Sequence, residues 1–328
     1  MNRTRNGNRD QSYQHLSVPG QIIVFGSILF IFAVLAIYQI YQFDAWGQIT
    51  LLYSYHAPFL DLVDHPHFFR YFVTYPGLWA EDYWGYGWFS AYISMFMIGS
   101  AYFIYRICRG FGFFYVVMAL ALIMPFHAFM NGRGVLSWFG WILVIFLIRK
   151  PIGSKYSIFE ILLFIVAALC SSVSTGTFVV VFSAVIISFA YRFFKSKYKQ
   201  DIFIIVLLST IFSKYFIVSF SKNIDFYDYG DGFMANMLSH GLGGILSQNI
   251  TLLLGISIIL MISPFVFDFI IRNVGFIGNV ILITPLIGGI FGFTTLTLAV
   301  PALVLMLVSR FKLVPADFIQ GQRTAFKP

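Results

Sequence analysis

Charge is what this sequence has least of. Asp, Glu, Lys and Arg together make up 10% of the chain and hydrophobic residues 59%, where a soluble domain carries about 25% charged residues. Such a chain cannot hide its apolar surface from water, so the bilayer has to be its solvent. Cysteine is almost missing too. Cys108 and Cys170 both lie in or beside apolar runs, with no metal spacing and no framework for a disulfide. There is no Walker loop. Gly85-x-Gly87 runs on to Ser90 where a third glycine would be needed, and it follows no strand, which excludes a dinucleotide fingerprint. No A-x-A cleavage site marks the first apolar run, so that run is expected to be a retained span and not a removed signal. No internal repeat and no soluble domain is visible. The net charge of +8 would suit nucleic acid. The cations sit instead at the ends of apolar runs, which is the pattern of membrane orientation, and no nucleic-acid partner is expected.

What the chain does have is long greasy runs. A span needs about 20 apolar residues, with a range of about 17–25. Ten are predicted, at about 21–41, 86–105, 111–130, 134–148, 158–173, 177–191, 202–220, 242–265, 275–292 and 295–309. Several are short and joined by tight turns: Asn131-Gly132-Arg133-Gly134, Ser174-Thr175-Gly176 and Gly292-Phe293-Thr294-Thr295. Each such pair reads as a helical hairpin whose tip need not fully cross. Basic clusters recur between the runs, at Arg106/Arg109, Arg149/Lys150/Lys155, Arg192/Lys195/Lys197/Lys199, Arg272 and Arg310/Lys312. With the N-terminus inside, all but four of the 21 Lys and Arg fall on the inner side or in the tails. The bias places both termini in the cytoplasm. The expected fold is therefore an all-α polytopic integral membrane protein of about ten transmembrane helices. It has a cytoplasmic tail over 1–20, one transmembrane domain over 21–309 and a second tail over 310–328.

The four exceptions are informative, as are the acids near them. Arg70, Arg133 and Lys222 fall outside, and Lys214 falls within the run at 202–220. A first outer loop, about 42–85, mixes Asp44, Asp61, Asp64, Glu81 and Asp82 with His56, His65, His67 and many Tyr and Trp; a second, about 221–241, is also acidic. The first is long for a loop without function. Its aromatics favour the interface, so short amphipathic helices are expected there. Arg133 stands at a hairpin tip between two glycines, which let a bulky anion approach the backbone. A guanidinium cannot shed its charge and suits bidentate phosphate or carboxylate binding; snorkelling to the interface is the plainer alternative. Arg70 and Lys214 are the other candidate anion ligands, though an intramembrane lysine is equally expected to hold an ion-pair partner. His127, just before the tip, is a candidate base or a buried, hydrogen-bonded histidine. Asp44, Glu81 and Asp82 are candidate bases for a sugar hydroxyl, or solvated loop charges. Tyr83, Trp84 and Tyr86 offer faces for sugar rings. His65-Pro66-His67 is a weak metal spacing, and no metal or other cofactor is expected.

Three stretches carry a resemblance: Phe68-Phe69-Arg70-Tyr71-Phe72, then Asp82-Tyr83-Trp84-Gly85-Tyr86-Gly87, then Phe129-Met130-Asn131-Gly132-Arg133. Over about 40–190 the chain resembles the Wzy-type bacterial polysaccharide polymerases, in particular their short EpsG-like branch. It departs from that pattern in Gly134, where the branch tends to have a polar residue, and in lacking a clear histidine in the run at 177–191. The resemblance implies a multi-pass glycosyltransferase of the bacterial inner membrane, joining undecaprenyl-diphosphate-linked repeat units of O-antigen, capsule or exopolysaccharide at the outer face. It implies a diphosphate-binding role for Arg133 and Arg70, with membrane lipid and a chain-length regulator as partners. Asp44 before a long outer loop is also similar to GT-C-type transferases, which use a lipid-phosphate sugar. A lipid or glycan transporter is the remaining alternative, for which inverted repeats and broken helices are the expected marks.

Overall fold

In the computed structural model the described residues are Gly26, 46–227 apart from 57, 66, 112 and 129, then 275–288 and 293–308. Among them every regular element is helical: α1 (Trp46–Ser54), a 3-10 turn (Phe59–Leu62), α2 (Phe68–Trp84), α3 (Trp88–Cys108), α4 (Phe113–Ala128), α5 (Gly132–Ile148), α6 (Ile158–Ser171), α7 (Thr175–Ser196), α8 (Lys199–Tyr227), α9 (Phe276–Gly288), α10 (Phe293–Thr297) and α11 (Ala299–Val308). Three helices are long and apolar enough to cross a membrane: α3, α7 and the Lys199–Val218 part of α8. The protein is a helical membrane protein on that ground. The runs predicted at 21–41 and 242–265, and both tails, lie outside the described residues, as does the second outer loop beyond Tyr227.

Other apolar helices are shorter, at 10–17 residues. The 14 residues of α6 reach about 21 Å at about 1.5 Å per residue, against a hydrocarbon core about 30 Å thick. The hairpins expected from the sequence at 131–134 and 174–176 are present as tight links between α4 and α5 and between α6 and α7, and most of each expected tip forms the first turn of the second helix. The loop at 42–85 is helical over much of its length, in α1, the 3-10 turn and the 17-residue α2.

The core forms around α5, where every residue except Arg133 and Phe146 is buried. A helix apolar all round needs either a protein core or lipid around it, and α5 takes the core. It packs chiefly on α3 and α6, and α7 and α11 also touch it. Gly140 permits the closest approach: a Cβ there would stand 2.6 Å from the Ala167 carbonyl oxygen of α6. Gly288, at the end of α9, backs directly onto Val180 of α7, a close packing that a glycine permits.

At the basic end of the bundle, the link from α6 back to α5 is clamped to the turn between α7 and α8. Arg192 and Asp201 form a fully buried pair, Nε to Oδ1 at 3.4 Å. Arg192 also donates to the carbonyls of Lys150 (2.6 Å) and Pro151 (3.0 Å). Gln200 exchanges two hydrogen bonds with the backbone of Tyr156. Burial raises the pKa of the Tyr156 phenol.

Candidate active site at the hairpin tips

At the other end of the bundle, the tips of separate hairpins are stitched together by buried polar side chains. Ser137 of α5 and Thr177 of α7 are hydrogen-bonded, Oγ to Oγ1 at 3.1 Å. The Thr177 hydroxyl is also placed to donate to the tip carbonyl of Ser171 (2.8 Å) or Ser174 (2.9 Å). One hydroxyl has one proton, so Ser137 is the donor of the pair. Trp138 donates its indole N–H to Thr297 of α10 at 3.1 Å, the partner that a buried tryptophan requires. Thr295 donates to the Gly288 carbonyl at 2.6 Å and lies against Gly176 of α7. These contacts bring the starts of α5 and α7, the end of α9 and the helix α10 to one place.

His127 sits in that cluster, fully buried at the end of α4. Its ring stacks on Trp138, centroids 5.3 Å apart and planes 22° apart. Its Nε2 lies 3.1 Å from the Val135 carbonyl oxygen. A carbonyl can only accept, so Nε2 carries the proton and Nδ1 bears a lone pair. Nδ1 is buried and has no hydrogen-bond partner among the described residues. An unsatisfied buried acceptor is costly and calls for an explanation.

Arg133 lies on the first turn of α5, two residues before the carbonyl that His127 engages. It is half-buried, the one charge on an otherwise enclosed helix. Asn131 caps that turn by accepting from the Gly134 N–H at 2.8 Å. A Cβ at Gly134 would stand 3.0 Å from the Met130 Cβ, so a bulkier residue there would press on Met130. The helix N-terminus adds positive potential beside Arg133.

Arg70 is buried on α2 and serves another tip. Its Nε donates to the Val173 carbonyl at 2.8 Å and its Nη1 to the Gln48 side chain of α1. The last carbonyls of α6 have no helical partner and carry negative partial charge. Arg70 answers that charge from one side, and the Tyr215 hydroxyl of α8 donates to the Ser172 carbonyl at 2.5 Å from the other.

Of the acids proposed as bases, Glu81 and Asp82 lie near the end of α2, far along the helix from Arg70. Glu81 lies eleven positions along α2 from Arg70, about 17 Å at about 1.5 Å per residue. Its carboxylate accepts from the N–H groups of Gly87 (3.0 Å) and Phe89 (2.8 Å), capping the start of α3. Gly85 and Gly87 both have left-handed backbones, φ 99° and 102°, so the glycines of this motif serve a sharp turn. Asp82 accepts from the Tyr53 hydroxyl at 3.0 Å. Burial, and then that bond, pushes the Tyr53 phenol up to about 12. Asp44 lies outside the described residues. Lys214 is ion-paired with Asp64, which joins α8 to the first outer loop. His65 accepts on Nδ1 from the His67 backbone N–H. Tyr83, Trp84 and Tyr86 are exposed at the α2–α3 junction, with Tyr83 stacked on Trp79 at 5.5 Å and Trp84 near Trp88 at 4.9 Å.

Sequence reasoning missed Ser137, Trp138, Thr177 and Thr297. Their only signal was a polar atom inside an apolar run, and each partner lies 40 or more residues away. The chain matches no family model, no curated protein and no solved structure.

Proposed function

We propose that this chain is a polymerase of lipid-linked oligosaccharides, with His127 as its base and Arg133 as its diphosphate ligand. The reading takes ten spans, both termini in the cytoplasm and the hairpin tips at the outer face of a bacterial inner membrane. One observation carries it. The Val135 carbonyl, two residues after Arg133, fixes the His127 tautomer, which leaves a lone pair on Nδ1, buried and without a partner among the described residues. A sugar hydroxyl is the kind of donor such a nitrogen lacks. In the reaction, Nδ1 takes the hydroxyl proton as that oxygen bonds to the anomeric carbon of the second unit. The bond from that carbon to the diphosphate breaks, and undecaprenyl diphosphate leaves with the charge that Arg133 stabilises. The exposed rings of Tyr83, Trp84 and Tyr86 would guide the glycan. Glu81 and Asp82 support the loop that holds those rings, and Arg70 positions the tip beside the site. A chain-length regulator remains an expected partner.

The test is polymer formation from an undecaprenyl-diphosphate-linked repeat unit in proteoliposomes. His127→Gln and Arg133→Lys should each cut the rate at least about a hundredfold, as loss of a base or an oxyanion ligand does, with the protein still inserted and monodisperse. Normal-length polymer from either variant would sink the reading. A transporter is the second reading, favoured by the short helices α6, α9 and α10, whose ends are tied by the Thr177–Ser171 and Thr295–Gly288 hydrogen bonds. Movement of the lipid-linked glycan without bond formation, in the same proteoliposomes, would select it. A GT-C-type transferase would depend on Asp44 and on a divalent ion, so a chelator would stop it.

A further inference from the structure

At the end of the bundle away from the hairpin tips, two basic segments that are well separated in sequence become one surface. Arg192 draws in the carbonyls of Lys150 and Pro151, and Gln200 pairs with the Tyr156 backbone. Gly153, with φ 82°, lies against Ser196. This clamp sets exposed Lys155 beside exposed Lys195, Lys197 and Lys199. The acids of the two segments are both used: Glu160 by Lys150 at 2.7 Å and Asp201 by Arg192. The four lysines therefore form a patch of one sign.

The turn between α7 and α8 adds a second observation. Lys197 has a left-handed backbone, φ 56°, at the end of α7, where glycine is the usual choice. Strain held by a non-glycine residue calls for a reason. Here the conformation places the Lys197 ammonium over the rings of Phe193 and Phe194, 5.7 and 5.5 Å from their centroids, while Lys195 lies over Tyr191. Phe194 is 70% exposed, and Ile158 and Phe159 at the start of α6 are exposed too. Cations directly above exposed apolar side chains, at the end of a membrane-spanning helix, match a molecule with an anionic head and a hydrocarbon tail.

We propose that the Lys155–Lys195–Lys197–Lys199 face is a docking site for the phosphate headgroup of an anionic phospholipid, with its chains against Phe194 and α6. Lysines near a charged membrane surface bind such headgroups electrostatically. The ammoniums engage the phosphate, and the clamp holds them at one height.

The test uses the full chain purified in detergent. Binding of phosphatidylglycerol and of phosphatidylcholine with the same chains is followed by native mass spectrometry and by thermal stabilisation. The wild type should prefer phosphatidylglycerol. Lys195→Gln with Lys197→Gln should weaken that binding about 25-fold, about fivefold per lysine. Lys197→Gly removes the ammonium and the backbone strain together, so it should be at least as stable as wild type without lipid and about fivefold weaker with it. The double Lys→Arg variant should keep its affinity. Arg106→Gln with Arg109→Gln removes two cations elsewhere on the same end and should change nothing. Equal binding of both lipids, unchanged affinity in the double Gln variant, or equal loss in the Arg106/Arg109 control would overturn the proposal. Full competition by inorganic phosphate would overturn it as well, in favour of a soluble anion.

Discussion

Removing the Arg192 side chain should unfold the basic end of the bundle, and the structure sets the scale. The guanidinium is fully buried, donates to two carbonyls at 2.6 and 3.0 Å, and faces Asp201 at 3.4 Å. It also lies over the rings of Tyr156 and Phe189, 5.2 and 5.7 Å from their centroids. Arg192→Met leaves Asp201 as an uncompensated buried charge, which costs about 3–5 kcal/mol. The freed carbonyls of Lys150 and Pro151 keep the loss at the upper part of that range, since a buried acceptor left unpaired costs about 1–3 kcal/mol. Arg192→Met with Asp201→Leu removes the stranded charge but leaves both carbonyls unpaired, so it should recover only the charge's share and stay about 1–3 kcal/mol below wild type. Arg192→Lys keeps the charge but not the fork that reaches two carbonyls, so it should fall between. Reversible unfolding in mixed micelles, followed by circular dichroism, measures all three. If the single Met variant costs no more than the double variant, the buried pair is not what holds this end together.

Other expectations come from single contacts. Arg70→Gln loses the bonds to Val173 and Gln48 and should cost about 2–3 kcal/mol, as charged hydrogen bonds do, read in the same unfolding assay. Gly140→Ala would drive a methyl into the Ala167 carbonyl, and overpacking of this kind costs about 1–3 kcal/mol; full stability would refute the close α5–α6 crossing. Lys214→Gln removes an exposed ion pair with Asp64 and should change stability by about 1 kcal/mol or less, an effect that added salt should erase. The fold holds the Tyr53 phenol protonated, so its contribution is complete below the ordinary tyrosine pKa of about 10 and is lost as pH rises through about 12. Tyr53→Phe should delete that alkaline phase from a phenolate-absorbance titration and leave the region below pH 10 unchanged; a phase that persists would remove the Asp82 contact.

Much of the bundle is legible from one-dimensional patterns. Apolar length and the Gly, Ser and Thr breaks locate α3 to α9, because a helix in lipid must satisfy its backbone within its own residues. The basic clusters mark helix ends for the same local reason. Arg133 and His127 stand out because they break those patterns within a few residues of each other. Glu81 illustrates where pattern reading runs out. A carboxylate beside an aromatic turn looks catalytic in sequence, yet the N–H groups it accepts from belong to a turn whose shape is set by the left-handed Gly85 and Gly87.

By itself the sequence determined that this chain is helical, lives in a membrane and turns at short glycine-marked hairpins. Those properties depend on the hydrophobic effect and on backbone hydrogen bonding, both of which act on neighbouring residues. Only the tertiary structure decided what the rare polar groups do. Arg70 meets Val173 across 103 residues, Trp138 meets Thr297 across 159, and the lysines on either side of the Arg192 clamp share one face. A lone charge or hydroxyl in an apolar run announces that it needs a partner, but only helix packing supplies one, and the partner decides between a cap, a clamp and a site.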